Sequence, residues 1–342
     1  MTVGIIHIGA HKTGSTSIQS GLRASEERLL QEDILFFNDY SRRAQLLSLA
    51  FRESNGRLLN LQAGKMNADL KRDSYAAWIG LARRVQRERP AFAIVSEEGL
   101  MWISSVGRLR SVLARLFDEI WIVAYVRCPE ERFRSNLDQR IRGGATIEEI
   151  FQGSRGLALL SPKLESYSDV FGEDKVIVRN FNRRCLVGGG PVSDFQSVIS
   201  NITGKSLSLQ DRGVKNRSVP GAVTSFFLEQ NYRSRPSFKN DRLQWTKRRK
   251  ALVEYVRSSN FPFESGSINI KCEGIRGHVW GCFKEDVDSL NTRFLDASSQ
   301  IDAKKCGRVM SKGEIQVRVK DWIYSYELDG VSNHLKLILD RM

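Results

Sequence analysis

The sequence predicts an α/β protein, with a central parallel sheet flanked by helices and a mainly helical C-terminal part. Two observations carry that expectation. Short apolar runs rich in β-branched residues recur along the first half, each bounded by turn residues. Between them lie longer segments whose apolar residues fall three and four apart, the spacing of a helix with one buried side. Strands that alternate with helices pair in parallel, because each crossover helix returns the chain across one face of the sheet.

The elements follow in order. "VGIIHI" (residues 3–8) is a buried strand ending at Gly9, and residues 16–31 form a helix with Ile18, Leu22, Leu29 and Leu30 on its buried side. "ILFF" (34–37) is a brief strand, 74–89 a helix closed by Pro90, and "FAIVS" (92–96) a second buried strand. Residues 106–117 are helical, and "IWIVAYV" (120–126) is the strongest strand. Pro129 opens a helix to residue 142, in the first turn where its missing N–H costs nothing. A helix over 163–171 and a strand "KVIVRN" (175–180) complete the alternation. After a loop at 188–190 the chain reads as helical to about residue 295, and "EIQVRVKDWIYSY" (314–326) as a strand pair or an amphipathic tail. The expected division is a core over 1–187, a helical completion over 188–300, and an extension of unknown role over 301–342. Such sheets bind ligands beyond the carboxyl ends of their strands. The loops at Gly9, Ser96 and Arg127 are therefore expected on one rim.

Composition narrows the class. A 342-residue chain with 41% hydrophobic residues is globular, with no run of ~18 apolar residues for a membrane span. The N-terminus enters a strand pattern directly and lacks the basic-then-apolar order of a signal peptide. Five cysteines (Cys128, Cys185, Cys272, Cys282, Cys306) form no CxxC pair, which argues for reduced thiols in a cytoplasmic protein. With four histidines and no HExxH, a metal is not expected. The net charge is +14, and residues 212–257 hold 12 basic and 3 acidic residues, including "WTKRRK" (245–250). Phe226, Phe227, Tyr232, Phe238 and Trp245 are interleaved with them. That segment is either a solvated helix face or a surface for a polyanion.

The chemistry is concentrated in "HKTGSTS" (residues 11–17), directly after the first strand. A helix starting near Gly14 offers free N–H groups and a positive dipole end to an anion. Gly9 and Gly14 allow close approach of the backbone. Lys12 adds a mobile charge, and Ser15 and Thr16 add hydroxyls. The plain alternative is a strand–turn–helix with a capping hydroxyl. A nucleotide-hydrolase loop carries its lysine directly after the second glycine; here Lys12 precedes Gly14.

That order resembles the 5′-phosphosulfate loop of the sulfotransferases that use 3′-phosphoadenosine 5′-phosphosulfate (PAPS), a P-loop nucleotide-binding fold. The resemblance implies that Lys12, Thr13, Gly14, Ser15 and Thr16 hold the 5′-phosphosulfate. It also implies an Arg at the end of a strand and a Ser eight positions on for the 3′-phosphate, which Arg127 and Ser135 satisfy in "RCPEERFRS". The overall pattern is similar to the bacterial and heparan-type sulfotransferases over roughly residues 3–295. Asn216 and Ser218 in "VKNRSVPG" resemble an Asn-x-Ser element late in such proteins, although the residues themselves favour a polar turn before Pro220.

Sulfonyl transfer needs a base for the acceptor proton and positive charge at the leaving oxygen. Lys12 suits the second role. For the base, "AIVSEEGL" places Glu98 and Glu97 just after a strand, where the cytosolic members of the resembled family carry a His. Both also fit an N-cap and first-turn pair. Asp33 in "EDILFFN" resembles the base-bearing stretch of the heparan enzymes, with Asp in place of Glu, and His11 adjoins Lys12. The expected function is transfer of a sulfonyl group from PAPS to a hydroxyl or amine, with PAP as product and a glycan or glycolipid as acceptor. The alternatives are an ATP-using kinase and a catalytically inactive polyanion-binding protein of the same fold.

Overall fold

The elements of the computed structural model run, in chain order, β1 Val3–His7, α1 Ser15–Ala24, α2 Glu26–Gln31, β2 Ile34–Phe37, α3 Asn67–Glu88, β3 Phe92–Ser96, α4 Val106–Leu113, β4 Glu119–Val126, α5 Pro129–Arg142, α6 Ile147–Phe151, α7 Ser161–Phe171, β5 Val176–Asn180, α8 Pro191–Thr203, α9 Gly221–Arg233, α10 Lys239–Arg257, α11 Glu273–Arg293, α12 Lys312–Tyr324 and α13 Asp329–Arg341. The structure describes all residues but 11, 38–45, 52–66, 153–157, 212, 214–218, 234–238, 259–262, 264–271, 303, 305, 327–328 and 342. Of the helical residues 67, 68, 70, 239–244, 329–330 and 339–341 it describes the backbone.

The chain divides into two units that interleave in sequence, instead of the three consecutive segments expected. The first holds residues 1–127, 159–215 and 285–301; the second holds 128–158, 216–284 and 302–342.

In the first unit the five strands lie in the order β2-β3-β1-β4-β5, every neighbouring pair parallel. His7 pairs with Ser96 on one side and Val123 on the other, so the ends of β1, β3 and β4 share the carboxyl edge. The strand order reverses at β1, which makes its carboxyl end the switch point where such sheets take ligands. The helices bury one face each. Ile18 and Leu22 of α1 join Ile5, Val123, Phe195 and Ile199 in a single apolar cluster. The expected helix over 16–31 is broken at Ser25 (φ −111°, ψ 8°). Its hydroxyl accepts from the Gln210 amide at 3.0 Å, a tertiary bond that fixes the break, and Leu30 is left exposed.

Asp194, in the first turn of α8, anchors that helix to the sheet. Fully buried, its carboxylate accepts from the Tyr125 hydroxyl (2.8 Å), Arg179 Nε and Nη2 (3.1 and 2.6 Å) and the Val187 amide (2.9 Å). Burial and then the Asp194 charge hold the Tyr125 phenol far above its ordinary value, while the hydrogen bonds that Arg179 donates to Asp194 raise Arg179.

The second unit, as described, is helical. Its core gathers Leu137 and Ile141 of α5, Phe226 and Phe227 of α9, Leu252 of α10 and Ile315, Val319, Trp322 and Ile323 of α12. The strand pair or tail read from "EIQVRVKDWIYSY" is helix α12, its N-terminus set by a capping box between Ser311 and Glu314. Alternation failed as a guide because Ile315, Val319, Trp322 and Ile323 follow helical spacing, whereas Val317 is 61% exposed. The segment called an extension supplies part of this core.

Candidate active site

The loop after β1 is held in an uncommon conformation. Lys12 has φ 67° and Gly14 φ 81°, two left-handed residues on either side of Thr13. For a lysine this costs on the order of 1 kcal/mol or more, a strain found most often at functional sites. At Gly14 a Cβ would lie 2.7 Å from Phe181 Cε2 and 2.8 Å from Pro191 Cβ, so both conformation and space require glycine. Gly14 is also the N-cap of α1, and it brings no side-chain oxygen to the first amides of the helix.

The side chains of the loop divide into two sets. Lys12 and Thr16 are exposed. Thr13 and Ser15 are buried; Thr13 Oγ1 donates to the Ala10 carbonyl at 2.6 Å and ties the loop to itself. Any contact of Thr13 and Ser15 with an anion therefore runs through their main-chain amides, which for Ser15 is a change from the hydroxyl role read from sequence. His11 lies outside the described residues.

Arg127 reaches this loop. It follows β4 on the carboxyl edge, donates from Nη1 to the Lys12 carbonyl at 3.0 Å, and stands 5.3 Å from the centre of the Phe181 ring. Ser135 lies on α5 in the second unit, half-buried. Asn216 and Ser218 fall outside the described residues.

The two glutamates after β3 are not equivalent. Glu97 is 7% exposed, and its two oxygens accept from the Leu47 and Ser48 amides, both at 2.7 Å. This carboxylate caps the 3-10 turn Leu47–Phe51, a structural assignment that displaces the expected one as a base. Glu98 opens the 3-10 turn Glu98–Trp102 and is half-buried on the same edge as the loop. Asp33 (φ 62°) is exposed, and its carbonyl accepts from Phe92 N at the start of β3. That is the amino end of the parallel sheet, a strand's length away from the loop, so Asp33 stands apart from the site.

The basic segment separates likewise. Lys247, Arg248 and Lys250 are exposed, but Arg249 is 6% exposed, 4.3 Å and 4.4 Å from the ring centres of Trp245 and Phe227. It donates to the Arg142 and Ile141 carbonyls at the end of α5. Burial, with Arg142 alongside, pushes it down to about 9, which leaves it charged at neutral pH. Phe226 and Phe227 are core residues, so they form no stacking surface between the charges. Phe238 lies outside the described residues.

The sequence reading missed two neighbours of the loop, Phe181 and His7. His7 is the polar exception in an apolar strand, a signal that was there to be read. Completely buried, it shares a 2.7 Å hydrogen bond between Nδ1 and Ser96 Oγ. Burial pushes its pKa down to about 4, against a smaller upward pull from Glu98. The carboxyl edge thus brings together Lys12, Gly14, the start of α1, Arg127 and Glu98. Main-chain amides in left-handed turns, a helix N-terminus and two cationic residues are groups suited to an oxyanion.

Among the described residues no group of three or more His, Cys, Asp or Glu is arranged to hold a metal, and no helix is long and apolar enough to cross a membrane. No protein-family model matches the chain, and no curated protein matches it. Among solved structures, a sulfotransferase from Alicyclobacillus acidocaldarius is similar over 66% of this chain and 91% of its own, with 16% sequence identity and a TM-score of 0.37.

Proposed function

We propose that the protein is a sulfotransferase that moves the sulfonyl group of PAPS to a hydroxyl or amine of a carbohydrate acceptor, a glycan or glycolipid. The observation that carries this reading is the pairing of Arg127 with a loop whose lysine precedes its glycine, both on the carboxyl edge at the switch point. A loop of this kind suits a phosphosulfate. The amides of residues 13–16 and the N-terminus of α1 hold the 5′ anion, and Arg127 offers its guanidinium fork to the 3′-phosphate. The spacing of Ser135 assigns it to that phosphate as well. Five cysteines without a CxxC pair fit a cytoplasmic location.

The reaction is an in-line displacement. The acceptor oxygen or nitrogen attacks sulfur, the bond from sulfur to the bridging phosphate oxygen breaks, and that oxygen keeps the electron pair. Lys12 neutralises the charge growing on the leaving oxygen, a role worth about two to three decades in rate. Glu98 takes the acceptor proton. Of the two glutamates, Glu97 already has both carboxylate oxygens accepting from the Leu47 and Ser48 amides.

Thermal unfolding with PAP, ADP and ATP tests the nucleotide. At about a hundred times its Kd a ligand adds ~2.7 kcal/mol, a shift of several degrees. Stabilisation by PAP alone supports the reading, and stabilisation by ATP without PAP replaces it with a kinase. Transfer from labelled PAPS should then fall about 100-fold or more in Lys12→Ala, with Arg127→Ala and Ser135→Ala weakening PAP. Wild-type rates and affinities in these variants would refute the assignment.

A further inference from the structure

We propose that His7 is a positioning residue for the anion loop: it holds the Ser15 hydroxyl, and with it the first turn of α1, through one water enclosed beside Gly9. This deepens the reading above and rests on it for the effect on anion affinity.

His7 and Ser15 are 0% and 1% exposed. Ser96 satisfies one ring nitrogen of His7, whereas Nε2 and Ser15 Oγ have no protein partner. Both atoms border Gly9. A methyl on Gly9 would lie 3.0 Å from His7 Nε2, 2.7 Å from Ser15 Oγ and 3.1 Å from Thr13 Oγ1. Glycine at position 9 leaves these three polar groups without a side chain between them. Buried polar groups are hydrogen-bonded in the great majority of cases, and an enclosed water with two to four such partners is the common means. The Thr13 proton is committed to the Ala10 carbonyl, which leaves its oxygen as a third partner. The ring is neutral at physiological pH and meets the water with one lone pair or one N–H.

Ser15 is the first residue of α1, so its amide is among the first N–H groups of the helix, which have no intrahelical acceptor. A hydroxyl fixed from behind fixes that amide. At metal sites, groups that orient a ligand from the second layer alter affinity 10- to 100-fold, and an effect at the low end of that range, about 10-fold, is expected here.

Two measurements on the full chain test the proposal. The first needs no ligand. In long-range 1H–15N spectra Ser15→Ala should move the His7 Nε2 resonance and leave Nδ1 nearly in place; an unmoved Nε2 would overturn the coupling. The second is calorimetric titration with PAP. His7→Phe keeps the ring shape and should weaken PAP about 10-fold, His7→Gln should restore most of the affinity, and His7→Phe with Ser15→Ala should be no worse than either alone. Additive losses, or wild-type affinity in His7→Phe, would refute the positioning role. A wild-type protein that ignores PAP while Nε2 still responds to Ser15→Ala would instead remove the sulfotransferase reading and keep the His7–Ser15 link.

Discussion

Replacing Asp194 by alanine removes the charge on which four donors converge. The Tyr125 hydroxyl, two nitrogens of Arg179 and the Val187 amide would lose their acceptor at a position that is 0% exposed. Removing one partner of a buried ion pair costs about 3–5 kcal/mol, because the remaining charge stays desolvated. The Arg179 side chain is 22% exposed, so water meets part of its loss and the expected cost sits near the low end, about 3 kcal/mol. For a unit of about 200 residues each kcal/mol lowers Tm by ~2–4 °C, giving a drop of roughly 6–12 °C. The assay is urea unfolding followed by tryptophan fluorescence, beside a thermal scan. Asp194→Asn keeps an acceptor and should lose about half as much. A change under about 1 kcal/mol in Asp194→Ala would refute the view that this carboxylate anchors α8. The anchor matters for the site because Pro191, at the start of α8, packs against Gly14.

Other consequences follow from the same contacts. The unfolded chain protonates His7 near pH 6.5 but the native protein only near pH 4, so acid favours unfolding within that window. Stability should fall by about 3 kcal/mol as pH drops from 6.5 to 4, with His278 (also lowered by burial) adding in the same direction, and His7→Phe should flatten the slope. Glu97→Gln should cost about 1–3 kcal/mol in denaturant unfolding, whereas Glu98→Gln should leave stability within about 1 kcal/mol and lower transfer from PAPS at least 100-fold. Loss of transfer at unchanged stability in Glu97→Gln would reverse the two roles. Arg249→Ala should destabilise by about 2–4 kcal/mol, because two helix-end carbonyls and two ring faces lose their cation, while Lys250→Ala stays within about 0.5 kcal/mol. Equal effects would place Arg249 at the surface after all. Acceptor assays of the basic face should therefore use Lys247, Arg248 and Lys250 and leave Arg249 intact.

The strands were legible because burial on both faces writes a continuous apolar run into "GIIHI", "FAIVS" and "IWIVAYV", and that pattern needs no knowledge of neighbours. The loop was legible because glycines, a lysine and hydroxyls at fixed offsets are a local requirement of chain geometry. The break at Ser25 was not legible, since its partner Gln210 lies far along the chain. Helix α12 was misread for a related reason: its alternating apolar residues fit two periods, and only packing against the second unit's core chose between them.

By itself the sequence determined the α/β class, the carboxyl-edge position of Lys12, Gly14, Glu98 and Arg127, and the excess of positive charge, all of which depend on composition and short spacing. Tertiary structure alone decided which like residues differ in role. Glu97 and Glu98 are neighbours, yet one carboxylate closes on the Leu47 and Ser48 amides and the other stays at the edge. Arg249 sits among basic neighbours and is buried, Asp33 lies at the opposite end of the sheet, and the Ser15 hydroxyl turns inward toward His7. A residue's chemistry is set by its type, but its availability is set by which distant groups fold against it.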